Sequence, residues 1–111
     1  MEKPKPPETF NQFVERYPDI GRAWETLGKA GKEAGPLDAK TVRLLKLALS
    51  MGARLEGAVH ADTRKALAAG ATKDEVEQVV ALAASTIGFP ATVASFSWVR
   101  DVLEETESPK K

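Results

Sequence analysis

Arg54-Leu-Glu-Gly-Ala-Val-His-Ala-Asp-Thr-Arg-Lys-Ala-Leu-Ala-Ala-Gly-Ala-Thr72 is the stretch on which the reading of this chain turns. It predicts a helix from about Leu55 to Ala69, stopped by Gly70 in the position where glycine usually ends helices. Thr72 followed by Glu75 forms a capping box, so a second helix starts at once. That helix carries Val76, Val79, Val80, Ala83 and Ile87 at spacings of three and four, the clearest amphipathic stripe in the chain. Gly88-Phe89-Pro90 breaks the pattern. A last helix runs from Pro90 to about Glu105 with Val93, Phe96, Val99 and Leu103 along one side.

The same periodicity continues upstream. Asp38 is placed to cap a helix reaching about Met51. This helix is apolar almost all round, through Val42, Leu44, Leu45, Leu47, Ala48 and Leu49. Only Arg43, Lys46 and Ser50 form a polar stripe. Such a helix belongs inside a domain or between subunits. Before it, Asp19 to Glu33 carries Ile20, Ala23, Trp24 and Leu27 on one face, and Gly35-Pro36 ends it. Thr9 to Tyr17 forms a short helix with Phe10, Phe13 and Val14 together, and Pro18 opens the next one, as proline does at a first turn. No segment alternates apolar and polar residues. The fold class is all-α, a compact bundle of about six helices in one domain, 9–107. It is flanked by polar, proline-bearing tails at 1–8 and 108–111 that bury too little apolar surface to order themselves.

Composition bounds the function. A chain of 111 residues makes one modest domain that buries roughly two-thirds of its unfolded surface. Apolar content of 42% and charged content of 29% describe an ordinary soluble protein. Sixteen cations balance sixteen anions, which argues against nucleic-acid or membrane-surface partners, both of which call for a basic excess. The apolar-rich stretch from Val76 to Val99 is interrupted by Glu77, Gln78, Gly88 and Pro90, so it is no membrane span. No secretory signal opens the chain and there is no cysteine for a disulfide framework, so the expected location is cytoplasmic. Trp24, Trp98, Phe89 and Phe96 read as core or interface anchors.

Four pieces, in this order and spacing, resemble the carboxymuconolactone decarboxylase and alkylhydroperoxidase D family. They are Leu37-Asp-Ala-Lys-Thr41, Leu47-Ala-Leu-Ser50, Lys65-Ala-Leu-Ala-Ala-Gly-Ala-Thr72 and Thr86-Ile-Gly-Phe-Pro-Ala91. The resemblance runs from about Leu37 to Leu103. It implies an alkylhydroperoxidase D-like helical domain that assembles into a homo-oligomer, a trimer or hexamer. In the peroxidase branch a helical glutamate, two cysteines and a histidine form a proton relay around a reactive thiolate. Aligned on the Gly-Ala-Thr ending, those positions fall on Arg43, Leu55, Ala58 and Asp62. Every member of the relay is replaced. The charge exchange at its ends implies that Arg43 and Asp62 meet as a partly shielded ion pair, with Leu55 and Ala58 filling the space between.

The decarboxylase branch needs no cysteine and resembles a site where a histidine and cationic groups handle a small lactone bearing carboxylates. The single histidine, His60, lies two residues from the family position, which turns a side chain about 200° around a helix. His60 and Glu56 stand four apart on one face and within reach, as an acid–base pair or as a plain surface pair. Arg43 and Lys46 are cationic anchors for a carboxylate or ordinary surface cations. Glu56, His60 and Asp62 have no recognised metal spacing, and no phosphate loop or dinucleotide fingerprint is present, so no metal or cofactor is expected. Two readings stand open. One is an enzyme with catalytic His60 and Glu56, acting on a small anionic compound bound by Arg43, Lys46 and Asp62. The other is a catalytically silent oligomeric binding or scaffold relative. Thiol chemistry is excluded in both, because leucine and alanine cannot become nucleophiles. Hydroperoxide consumption in metal-free buffer with a dithiol regenerating system is therefore expected at the no-protein blank; turnover above it would refute this.

Overall fold

The computed structural model describes residues 8–107, and the two tail segments lie outside them apart from Glu8. Six helices account for the described residues and no strand occurs among them: α1 (Glu8–Arg16), α2 (Pro18–Glu33), α3 (Ala39–Gly52), α4 (Glu56–Ala68), α5 (Lys73–Ile87) and α6 (Phe89–Glu107). The bounds match the periodicity to within a residue or two. The Thr72 capping box is present in full, with the Glu75 N–H donating to Thr72 Oγ1 and the Thr72 N–H donating to Glu75 Oε1. By their contacts the helices fall into two units that divide at Asp38.

In the first unit, α1 and α2 form a helical hairpin. Pro18 sits in the first turn of α2, where its missing N–H costs nothing. Gly21 lies against Val14 so closely that any Cβ there would collide with it. Phe10 meets Trp24 edge to face at 5.4 Å between ring centroids. The α2 stripe Ile20, Trp24 and Leu27 nevertheless stays exposed.

In the second unit α4 is the common neighbour of α3, α5 and α6. Its Val59, Thr63 and Ala66 are fully buried. They meet a core completed by Leu47 and Met51 of α3, Val76 and Val80 of α5, and Val99 and Leu103 of α6. Thr63 stays satisfied by donating its hydroxyl to the Val59 carbonyl at 2.7 Å. Val76 and Val80, with Val79 and Ala83 half-buried beside them, confirm the α5 stripe. Lys40 donates to Glu75 across 2.9 Å and so joins the first turns of α3 and α5.

Two helices differ from expectation in the same way. Helix α3 buries only Leu47, Ser50 and Met51, while Leu45 is exposed and Leu49 is 69% exposed. In α6 the stripe is rotated over its first half. Thr92 and Ser95 turn inward while Phe89, at 75% exposure, Val93 and Phe96 turn outward; only Val99 and Leu103 lie in the core as the spacing suggested. Thr92 satisfies its hydroxyl on the Gly88 carbonyl, whereas the buried Ser95 Oγ has no partner.

Two helix ends show the same turn built from different residues. After α4, the N–H groups of Gly70 and Ala71 donate to Leu67 and Ala66, with Gly70 at φ +101°. After α3, the N–H groups of Arg54 and Leu55 donate to Met51 and Ser50, with Arg54 at φ +60°. Both are Schellman turns, and only one has glycine at the left-handed position. An L side chain there costs roughly 1–2 kcal/mol, and glycine's larger unfolded-state entropy offsets about half of any relief. Arg54→Gly is therefore expected to stabilise the fold by about 0.5 kcal/mol and Gly70→Ala to destabilise it by about 1 kcal/mol, as read from urea midpoints. Equal signs for the two would contradict this account.

Candidate functional site

The buried stripe of α4 decides where its polar groups point. With Val59, Thr63 and Ala66 in the core, the residues one step round the helix, His60 and Arg64, lie on the flank that meets α6. There each finds a carboxylate. His60 Nε2 lies 3.1 Å from Asp101 Oδ2. Arg64 Nε donates to Glu105 Oε1 at 3.0 Å and its Nη2 to Oε2 at 3.4 Å. Both pairs step forward four residues together, so α4 and α6 run in the same direction along this contact. The His60 and Arg64 side chains are each 24% exposed, and their partners more so.

The geometry assigns the proton on the imidazole. A carboxylate oxygen only accepts, so Nε2 carries a hydrogen, and in the neutral ring Nδ1 keeps a free lone pair. Nδ1 makes no hydrogen bond among the described residues. In that neutral form the carboxylate at one nitrogen orients the ring and would stabilise an imidazolium beside it.

The carboxylate beside His60 is not the one the spacing suggested. Glu56 opens α4 in an exposed position and forms no hydrogen bond or ion pair among the described residues, while Asp101 of the packed neighbour is within reach of the ring. Arg43 and Asp62 are each half-buried and do not bond to one another. Water still reaches both, so no buried-charge penalty forces the expected pair to form. Leu55 is exposed and Ala58 half-buried, so Leu55 does not fill a former thiol site as core. Lys46 is exposed and unpaired among the described residues. Arg43, Lys46 and Asp62 thus make no direct bond to His60. The residues that do surround it, Asp101, Arg64 and Glu105, carry one available signal. Asp101 and Glu105 repeat, 41 residues on, the four-residue spacing of His60 and Arg64 with opposite charge.

A second polar cluster joins α3 to α5. The Thr72 backbone N–H, reinforced by Lys40, holds the Glu75 carboxyl below its usual value. No group of three or more metal-ligating side chains occurs among the described residues, and no described helix is long and apolar enough to cross a membrane.

Comparison with known proteins agrees with the fold. The family model of the carboxymuconolactone decarboxylase family matches residues 18–101. The chain belongs to that family. A protein of Haemophilus influenzae described only as uncharacterised is 36% identical over 59 residues, which is 53% of this chain and 52% of that protein. The match thus spans about half the length of that curated relative. The crystal structure of the apo form of a carboxymuconolactone decarboxylase family protein from Legionella pneumophila superposes with a TM-score of 0.78 at 20% identity, covering 91% of this chain and 89% of the other. At that identity the likeness establishes the shared helical fold.

Proposed function

We propose that this protein is an acid–base member of its family, acting on a small anionic compound without thiol chemistry. The observation that carries the reading is the His60–Asp101 contact at 3.1 Å, which leaves Nδ1 as the base. In this reading His60 is the catalytic residue and Asp101 a positioning residue. His60 Nδ1 removes a proton from carbon or oxygen of the bound compound, and the resulting imidazolium returns it to the product. The half-buried cation Arg43 and the exposed Lys46, both unpaired among the described residues, support an anionic ligand class. Glu56 has no part in it. A cytoplasmic setting fits small anionic metabolites.

The experiment begins with a thermal-shift screen of small carboxylic acids and lactones, since a ligand that binds the folded state raises its stability by mass action. On the best substrate found, His60→Gln is expected to lower kcat by at least about 100-fold, the usual contribution of a positioned acid–base group. Asp101→Asn should lower kcat while leaving KM nearly unchanged. An exposed pair contributes about 1 kcal/mol or less to stability, so neither variant should unfold. Unchanged turnover in His60→Gln would overturn the reading.

A second reading is favoured by the outward-facing apolar residues. Leu49, Leu82 and Phe89 are each at least 65% exposed, and α6 turns Phe89, Val93 and Phe96 outward while placing Ser95 inside. Such surface calls for cover. We infer a closed homo-oligomer, a trimer or hexamer, which would serve the enzyme and a silent scaffold relative equally. Light scattering at micromolar concentration is expected to give a multiple of the 12.0 kDa chain mass; the mass of a single chain would refute it.

A further inference from the structure

We propose that Arg64 is the receptor for a ligand carboxylate beside His60, and that Glu105 occupies it as an internal competitor in the empty protein. This rests on the acid–base reading of His60 but concerns a different residue and a different property, binding rather than turnover.

Three observations carry it. Arg64 is one helical turn from His60 on the same flank of α4, which places the two Cβ atoms about 5–6 Å apart. The guanidinium is already engaged through two nitrogens by the two oxygens of one carboxylate, at 3.0 and 3.4 Å. That fork geometry selects a carboxylate and rejects a compact monovalent anion, which cannot use both donors. The pair is also unequal. The Arg64 side chain is 24% exposed, so packing holds its stem, whereas that of Glu105 is 53% exposed and free to turn into water. An arriving carboxylate can displace Glu105 without disturbing Arg64. Asp101 remains on His60 throughout, so displacement frees the cation and leaves the base oriented.

The contact also answers why an arginine beside a candidate base should carry a mobile partner at all. Without Glu105 the cation would be open to any anion in solution. With it, only a ligand that offers a carboxylate and further contacts gains entry. Glu105 is thus a filter on ligand class, and its removal should loosen the filter.

Nuclear magnetic resonance titration with succinate, using its neutral diamide as control, tests this on the full chain. The Arg64 Nε–H signal should shift saturably with succinate and not with the diamide. Glu105→Gln, which keeps shape and removes charge, should tighten succinate binding by up to about fivefold, the factor a part-exposed ion pair can withhold. Arg64→Lys should weaken it, because lysine keeps the charge but lacks the fork. Equal affinity in the wild type and Glu105→Gln, or undiminished affinity in Arg64→Lys, would overturn the proposal. If turnover depends on His60 while Glu105→Gln binds no tighter, this proposal falls and the acid–base reading stands. Tighter binding in Glu105→Gln with turnover indifferent to His60 has the opposite meaning.

Discussion

The structure of the second unit depends on one buried stripe, Val59, Thr63 and Ala66, with no exposed atom surface to speak of on any of the three. Burying a valine side chain contributes roughly 1.5–3 kcal/mol, so Val59 together with Val76, Val80 and Val99 from its neighbours supplies a large part of what holds four helices together. The small side chains on α4 allow α3, α5 and α6 to approach it at once. Thr63 can sit there only because its hydroxyl folds back on the Val59 carbonyl. Because rotation about α4 is fixed by this stripe, the flanking positions have no freedom of placement: His60 and Arg64 must meet α6.

That constraint explains how the family's frame survives the loss of the family's relay. Position 43 lies on α3, positions 58 and 62 on α4, and position 55 just before α4. Replacing them by Arg43, Leu55, Ala58 and Asp62 leaves the core intact, since none of the four is buried. Polar contacts join α4 to α6, through His60–Asp101 and Arg64–Glu105, and α3 to α5, through Lys40–Glu75. His60 stands two residues before the position where the family's histidine would otherwise stand, about 200° round the helix.

Much of this was legible in the chain, for identifiable reasons. Helix ends were readable because Pro18, the Thr72–Glu75 box, Gly70 and Gly88-Phe89-Pro90 act through local sterics and hydrogen bonds, which need no tertiary context. The family resemblance was readable from the spacing of four short pieces. The partner of His60 was not: local spacing proposed Glu56, four residues away, and the fold supplied Asp101, forty-one away. The Arg43–Asp62 pair failed for a related reason, since alignment places residues on helices but does not say whether water still reaches them. The rotated face of α6 was hidden because the stripe of Val93, Phe96, Val99 and Leu103 is regular, and periodicity does not show that Thr92 and Ser95 turn inward.

The claim on which the account rests is that Asp101 fixes the proton of the imidazole on Nε2. The chain has a single histidine, so a long-range nitrogen–proton correlation spectrum contains one imidazole pattern and needs no assignment. Recorded at alkaline pH, where the ring is neutral, the wild type is expected to show the Nε2–H tautomer in clear excess over a histidine in an unfolded peptide, and Asp101→Ala to lose that excess. Identical tautomer ratios in the wild type and Asp101→Ala would contradict it.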